Sequence, residues 1–293
     1  MKLSMLNMMV GDDFATALDR HVNLGIEILD LKESILGRAV EDLTVEDARE
    51  ASRMLTERSL SVYCLSSQLG YRPLEMGEEK WIAEAFDCLD RILAVAHVLQ
   101  PEVVRLLCAS SPTSTGQSFM QVAAKHPWLV PAYRTIASRI AAEGFTPMAE
   151  NEAVNCIVAN PHDAVAFVEA VRGDSGLRFI WDVQNMWQMG TYPDLAVLDV
   201  LRPVTAGLHL KGGIADAKGE LETASTLEDA SWPVREIVNA VIASGSVAVI
   251  CLNPSHGNRP PGYTMAAAVE ADIRFLRRAF PTLTQSSSNA APA

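Results

Sequence analysis

The sequence carries no phosphate-binding glycine loop. Neither G-x-G-x-x-G nor G-x-x-x-x-G-K-[S/T] occurs anywhere in its 293 residues. A doubly wound nucleotide-binding sheet is expected to carry such a loop after an early strand, because the backbone amides of the loop hold the phosphates. This absence argues against an open nucleotide-binding sheet.

The sequence contains only five cysteines, and their spacing does not indicate a metal-binding or redox pair. No C-x-x-C motif occurs, the number is odd, and three of the five lie within apolar runs. These features are typical of small buried thiols in a reducing compartment. The cysteines are Cys64, Cys88, Cys108, Cys156 and Cys251.

Positive charge and long apolar runs are also lacking. The formal net charge is −12, whereas a duplex-binding protein needs a basic surface to neutralise phosphates. No stretch approaches the roughly 20 apolar residues of a membrane span. The first apolar run is also too short for a signal peptide. The sequence therefore predicts a cytoplasmic protein that binds neither nucleic acid nor membranes.

One pattern repeats along the chain. A short run rich in β-branched residues or Leu is followed by a polar turn and then by an amphipathic stretch, which is typical of parallel βαβ units. The predicted strands span residues 2–7, 26–31, 61–65, 103–109, 146–150, 178–182, 205–210 and 247–253. The predicted helices span residues 14–24, 44–58, 79–99, 131–143, 161–171, 194–201, 232–244 and 266–280.

Strict alternation of these strands and helices predicts a single-domain (β/α)8 TIM barrel. The chain length agrees, since such barrels typically take roughly 250 residues. The alternative is a doubly wound open sheet, which would need the missing glycine loop. We predict that residues 1–281 form the barrel. Residues 282–293, rich in Ser, Ala and Asn, are predicted to be a disordered tail.

Polar side chains stand at the ends of four successive predicted strands. Glu150 ends the fifth strand, Asp182 the sixth and Asn253 the eighth, and His209 is the next-to-last residue of the seventh. Each alone is more often a solvated or structural residue, but strand ends at the carboxyl face of a barrel converge on its active site. Carboxylate, imidazole and carboxamide donors without thiolates suit Mn²⁺, Mg²⁺, Co²⁺ or Zn²⁺. The pattern therefore predicts a divalent-metal site.

Three short motifs at these strand ends carry a resemblance to a known family. They are Glu150-Asn151-Glu152, Asp182-Val183-Gln184-Asn185 with Gly190 and Pro193 beyond it, and His209-Leu210-Lys211-Gly212. Through these motifs the chain resembles the xylose isomerase-like sugar-phosphate isomerase and epimerase barrels, over most of its length. The resemblance implies that Glu150, Asp182 and His209 are metal ligands.

Three positions depart from the pattern of that family. The family ends strand eight with a fourth ligand Glu, whereas Asn253 stands here; an Asn oxygen can coordinate a metal but cannot act as a base. Gly212 replaces the Asp of the family's His-x-Lys-Asp motif. Asn185 stands where the apurinic endonucleases of the superfamily carry a metal-binding His. This departure, together with the negative charge, argues against DNA repair.

The remaining polar residues predict proton abstraction next to a carbonyl group. A bound metal would stabilise the developing enediolate, and Glu150 or Glu152 would serve as the base. Lys211 is expected to neutralise a substrate oxygen. His256 is expected to replace the missing strand-eight base or to protonate a leaving hydroxyl.

The predicted substrate contacts are Glu152, Asn185 and Trp187, although an aromatic residue in this loop equally often packs barrel against helix. We expect a metal-dependent isomerase or epimerase acting on a small sugar, sugar phosphate or polyol-derived ketone. The alternatives are a dehydratase of the inosose type and a binding barrel whose catalysis is altered by Asn253. Dimers and tetramers are common in the family, so the resemblance allows a homo-oligomer.

Overall fold

The computed structural model of the protein describes residues 1–283 and forms one closed barrel of parallel strands. The strands are β1 (Lys2–Leu6), β2 (Ile28–Leu31), β3 (Ser61–Leu65), β4 (Val103–Leu107), β5 (Thr146–Glu150), β6 (Arg178–Asp182), β7 (Thr205–Leu210), β8 (Ile214–Ala215), β9 (Leu221–Thr223) and β10 (Val249–Leu252). Strands β1 to β7 pair in chain order, and β10 closes the barrel between β7 and β1. This architecture confirms the predicted TIM barrel.

A helix follows almost every barrel strand. The helices are α1 (Phe14–Asn23), α2 (Val45–Thr56), α3 (Glu78–Leu99), α4 (Phe119–Lys125), α5 (Leu129–Ala142), α6 (Pro161–Arg172), α7 (Val183–Gln188), α8 (Leu195–Leu201), α9 (Val234–Ser244) and α10 (Met265–Ala279). All eight predicted helices are present, with ends that differ by at most two residues. The short helices α4 and α7 and the antiparallel β8–β9 hairpin are additions to the prediction.

Local sequence signals account for several helix ends. Thr44 and Asp47 form a capping box, in which each side chain accepts from the other residue's backbone amide. The side chain of Asn160 accepts from the amide of Asp163 and caps α6 ahead of Pro161. These caps fix where the helices start, and hence where the preceding loops must end.

Four strands are shorter than predicted. The first ends at Leu6 rather than at residue 7, and the eighth spans Val249–Leu252 rather than residues 247–253. The second begins at Ile28 rather than at residue 26, because the Ile26 amide donates to His21 O and completes the end of α1. The fourth ends at Leu107 rather than at residue 109, because the chain then pairs with neighbouring loops, as in the bond from Ser110 N to Arg72 O.

A small apolar cluster lies beneath the carboxyl ends of the strands, inside the barrel. It comprises Tyr63, Cys64, Val103, Met148, Ile180, Ala206 and Val249. On β5 and β6, Met148 and Ile180 precede Glu150 and Asp182 by two residues, so they share an inward face with them. The predicted donors therefore stand on top of a packed interior.

The predicted tail starts at residue 282, and from residue 284 onward it lies outside the described residues. The barrel boundary at residue 281 stays a prediction. Within the part of the chain that is described, no helix combines the length and apolar character needed to cross a membrane.

Candidate metal and active site

Glu150 ends β5 with its carboxylate buried between two nitrogen-bearing side chains. Arg105 Nη1 donates to Oε2 at 2.6 Å, and His209 Nδ1 lies 3.0 Å from Oε1. Burial alone raises the pKa of Glu150, but His209 and Arg105 more than offset this effect and hold that pKa well below its usual range. Glu150 is therefore ionised at neutral pH.

Asp182 ends β6 and also caps the first turn of α7. Its Oδ1 accepts from the backbone amides of Gln184 at 3.0 Å and Asn185 at 2.9 Å, which fixes the carboxylate in place. Its buried Oδ2 lies 2.7 Å from Lys211 Nζ, so this oxygen already faces a cationic group. A carboxylate oxygen in this state keeps a second lone pair that could contact a metal ion.

His209, on β7, points its two ring nitrogens at different carboxylates. Nδ1 faces Glu150, and Nε2 lies 3.5 Å from Oδ2 of Asp30. Burial by itself lowers the pKa of His209, but Glu150 and Asp30 offset it and raise that pKa to about 9. In the protein alone, the ring consequently carries both protons at neutral pH.

Asn253 follows β10 and places its side-chain amide against His209. The amide nitrogen lies 2.9 Å from Nδ1, and the amide oxygen accepts from the Cys251 thiol at 3.2 Å. The contact with Nδ1 is attractive only when Nδ1 has no proton, whereas the contact between Nδ1 and Glu150 requires one. A cation that takes the Nδ1 lone pair would satisfy Glu150, but Asn253 would then have to turn its amide oxygen, rather than its nitrogen, toward the site.

The donor set fits a divalent cation in size and in chemistry. Glu150, Asp182 and His209 each offer one ligand atom, and these atoms lie within 4.8 Å of one another. Two carboxylates and an imidazole suit Mn²⁺, Mg²⁺, Co²⁺ or Zn²⁺. Asn253 would add an oxygen only if its amide turned around, because that oxygen now faces Cys251.

Lys211, just after β7, forms the centre of a buried polar network. Its ammonium contacts Asp182 Oδ2 at 2.7 Å, donates to Asn185 Oδ1 at 2.9 Å and lies 2.9 Å from His256 Nε2. Because an ammonium only donates, Nε2 of His256 must carry a lone pair. Burial and the charge of Lys211 lower the pKa of His256 to about 4, so His256 is neutral at neutral pH.

Glu152 lies two residues beyond Glu150, on the loop after β5. Its Oε1 accepts from Asn185 Nδ2 at 3.0 Å and from the Ala153 amide at 2.9 Å. Burial, and then the negative charge of Glu150, raise the pKa of Glu152. A carboxyl group whose pKa is raised in this way is suited to take and return protons.

Trp187 is packed against the β8–β9 hairpin. Its indole Nε1 donates to Gly219 O at 2.7 Å, and its ring meets Tyr192 edge-on with centroids 5.2 Å apart. The side chain is 2% exposed. These contacts hold the hairpin to α7, and the predicted substrate contact of Trp187 stays a prediction.

Gly212 occupies the position of the Asp in the motif that the sequence resembles. A Cβ at Gly212 would lie 2.1 Å from Ser225 O and 2.5 Å from Thr226 O, so the loop has no room for a side chain here. The carbonyl of Gly212 accepts from the Gln184 side-chain amide and from Ser255 Oγ. The loops after β6, β7 and β10 are thus joined at this glycine.

The strand-end motifs do not identify Arg105 and Asp30, which are buried beside the predicted donors. Each is the one charged residue of an otherwise apolar strand, VVRLL or ILDL, and a buried charge in such a strand needs a partner. Arg105 pairs with Glu150 and also donates Nη2 to Ser66 O at 2.6 Å and to Ser67 O at 3.0 Å. That sequence signal could have found both residues.

A cavity of about 360 Å³ lies between the loops after β4 and β5 and the end of α7. No charged residue lines it, and its polar lining includes Ser111, Gln117, Asn155 and Gln188. It does not contain Glu150, Asp182 or His209, so the cavity and the donor cluster are separate features that the β5 loop connects.

Comparison with solved structures finds many similar barrels. A 3-keto-D-glucoside 4-epimerase from E. coli is 14% identical with a TM-score of 0.69, over 95% of this chain and 99% of that one. A probable 3-DHS dehydratase from Bacillus anthracis is 14% identical with a TM-score of 0.69, over 94% and 98%. A xylose isomerase-like TIM-barrel protein from Mycobacterium smegmatis, in complex with magnesium, is 15% identical with a TM-score of 0.69, over 97% of both chains. At such identities the likeness establishes the fold.

Comparison with curated protein sequences finds no match. The family model described as xylose isomerase-like TIM barrel matches residues 18–279, which is most of the chain. That match includes Glu150, Asp182, His209 and Asn253, and it agrees with the closed barrel. The chain therefore belongs to the xylose isomerase-like TIM-barrel family.

Proposed function

We propose that this protein is a divalent-metal-dependent isomerase or epimerase that moves a proton next to the carbonyl group of a small hydroxylated substrate. One observation carries the proposal: Glu150, Asp182 and His209 bring three buried donor atoms within 4.8 Å of one another. Oδ2 of Asp182, which contacts the Lys211 ammonium and keeps a second lone pair, supports it further. When bound, the cation would supply Lewis-acid stabilisation of the negative charge that develops on the substrate oxygens.

Glu152 is the base that the site favours. Glu150 is held ionised at low pKa by His209 and Arg105, which makes it a poor proton acceptor and a good ligand. The raised pKa of Glu152 suits it better to remove a proton from the carbon beside the carbonyl and to return it to the neighbouring carbon. Of the two bases that the sequence predicts, Glu150 and Glu152, we therefore assign Glu152.

Lys211 and His256 act as a pair in this proposal. The Lys211 ammonium carries the positive charge that faces the developing enediolate, and Asp182 and Asn185 hold it in place. His256 accepts from Lys211 through Nε2, so it orients the ammonium and its remaining ring proton lies on Nδ1. This assignment replaces the predicted role of His256 as a base.

A one-base reaction fits these residues better than a two-base epimerisation. Asn253 stands where a second base would be, and an amide cannot accept the proton. A 1,2-isomerisation through a cis-enediol needs one base and meets this condition.

A dehydratase is the second candidate, and Asn253 favours it as well. In a dehydration, Glu152 would remove the proton beside the carbonyl, Lys211 would protonate the leaving hydroxyl, and water would depart. This route also needs one base, and a probable dehydratase is among the similar barrels.

The proposal is tested by proton exchange with solvent. Mn²⁺-reconstituted protein is incubated in D2O with a panel of ketoses and inososes, and the products are analysed by NMR. We expect deuterium at the carbon beside the carbonyl of at least one substrate, whereas loss of water with formation of an enone would select the dehydratase. The proposal would be contradicted if no member of the panel showed either deuterium incorporation or loss of water.

The base assignment is tested by Glu152→Gln, which should slow exchange by about 10²–10⁴-fold while leaving metal affinity unchanged. Glu143→Gln is the matched control, because Glu143 follows α5 at the amino-terminal side of the barrel. Exchange in Glu152→Gln at the wild-type rate would exclude Glu152 as the base.

A further inference from the structure

Asp30 is a buried carboxylate inside the barrel, on the next-to-last residue of β2. It is 1% exposed and is the one charged residue of its strand. Placing an ionised carboxylate in such surroundings costs several kcal/mol unless hydrogen bonds or opposite charges satisfy both of its oxygens. The position of Asp30 therefore calls for partners on the strands around it.

One oxygen of Asp30 is satisfied and the other is not. Oδ1 accepts from Ser4 Oγ at 3.0 Å. Oδ2 has no hydrogen-bond partner among the residues that are described, and the nitrogen facing it is His209 Nε2 at 3.5 Å. A shift of a few tenths of an ångström would turn that contact into a hydrogen bond of ordinary length.

We infer that Asp30 is the positioning residue of His209, accepting its Nε2–H so that Nδ1 is the nitrogen presented to the metal donors. The inference rests on the proposed metal site. A carboxylate behind a metal-bound imidazole fixes both the orientation and the tautomer of the ring. Here the geometry around the ring has that arrangement, since Nε2 faces Asp30 and Nδ1 faces Glu150.

Direct ligation of a second metal by Asp30 is the competing explanation, because Asp30, His209 and Cys251 also lie within 4.8 Å of one another. The Cys251 sulfur, however, donates to Asn253 Oδ1 at 3.2 Å, which requires the protonated thiol. A metal ligand would have to be the thiolate. The hydrogen bonds therefore favour positioning over ligation.

Asp30→Leu tests the inference because it removes the acceptor that faces His209 Nε2 at similar side-chain volume. The ring proton is then no longer held on Nε2, and Nδ1 no longer keeps its lone pair for the metal. We expect Zn²⁺ affinity to fall by about 10–100-fold. In ¹H–¹⁵N spectra of the imidazoles, the protected Nε2–H signal of His209, identified by its absence in His209→Gln, should disappear.

Asp30→Asn is the conservative variant, because its amide oxygen can still accept from Nε2 while its NH2 group donates to Ser4 Oγ, so part of the Zn²⁺ affinity and the Nε2–H signal should return. Asp163→Asn is the matched control, because Asp163 is also a buried Asp but serves the α4 amide of Phe119. It should leave Zn²⁺ affinity within about twofold. A purely structural role for Asp30 would not produce the rescue.

Two results would overturn the inference. One is an Asp30→Leu variant that keeps both the Nε2–H signal and its Zn²⁺ affinity. The other is a second bound equivalent of metal that is lost in Cys251→Ser, which would make Asp30 a ligand. If wild type binds no divalent metal, the proposed function fails, but the Nε2–H signal of the metal-free protein still decides the role of Asp30.

Discussion

The two halves of the barrel contribute differently to the candidate site. Strands β5, β6 and β7 and the residue after β10 supply the donors at the carboxyl end, namely Glu150, Asp182, His209 and Asn253. Strands β2 and β4 supply Asp30 and Arg105, which contact two of those donors from the opposite half.

This difference separates the residues that would bind the metal from the residues that position those donors. Each donor in the second half is oriented by a group that is not itself a donor: Arg105 holds Glu150, and α7 holds Asp182 through its capping bonds. In the first half, Asp30 and Arg105 contact these donors and are not assigned as donors themselves. Changes in the first half should therefore act on stability and, by altering how the donors are oriented, indirectly on metal affinity, whereas changes to the donors of the second half should act on metal binding directly.

The largest expected effect comes from Arg105→Met in the first half. It leaves Glu150 buried without its guanidinium and should lower the free energy of unfolding by about 3–5 kcal/mol, as measured by urea unfolding without metal. The double variant Arg105→Met/Glu150→Gln should recover much of that loss. Arg139→Met, which breaks the exposed pair with Asp90, is the control and should cost less than about 1 kcal/mol. A cost for Arg105→Met no larger than that of the control would contradict the account.

The pH dependence of the metal-free protein tests the second half. The pKa of His209 is raised to about 9 from 6.5, so the stability it contributes is complete below about pH 6.5 and is lost as the pH rises through 9. The loss should amount to about 3 kcal/mol and should be absent in His209→Gln. Over the same range metal affinity should rise by about tenfold per pH unit, because metal binding releases the Nδ1 proton. A metal-free stability that stays level from pH 6.5 to 9 would exclude the buried imidazolium.

The smallest expected effect concerns the loops that close the second half. Gly212→Ala forces a Cβ against Ser225 O and Thr226 O, which should destabilise the protein by about 1–3 kcal/mol in thermal or urea unfolding. Gly219→Ala is the matched control for crowding, because nothing lies within 4 Å of a Cβ there, although its φ of +85° adds backbone strain. A smaller cost at Gly212 than at Gly219 would show that the loop has room to relax.

The sequence predicts the barrel well because strand and helix periodicity are local properties. It misses α7 because Asp182 serves at once as strand end and helix cap, so no loop separates the two elements. It also misses α4, a helix of 7 residues, although the capping box of Ser118 and Gln121 marks its start. Short elements of this kind are stabilised by tertiary contacts that no local window contains.

The same limit applies to the site. Strand ends identify Glu150, Asp182 and His209, because closure of a barrel brings such ends together. Arg105 reaches Glu150 from the neighbouring strand and Asp30 faces His209 across the interior, and the register shifts between β2 and β3 and between β6 and β7 set which residues meet there. Those shifts depend on packing of the whole interior and cannot be inferred from any one strand.

Metal content is the most direct test of the account. Purified protein is reconstituted with Mn²⁺, freed of excess metal, and measured by elemental analysis beside Asp182→Asn, in which the amide keeps the α7 cap but loses the charge. We predict about one equivalent of divalent metal in wild type and a loss of affinity of at least about 100-fold in the variant, which is roughly 3 kcal/mol. Wild type without stoichiometric metal, or a variant that retains it, would contradict the assignment of Glu150, Asp182 and His209 as a metal site.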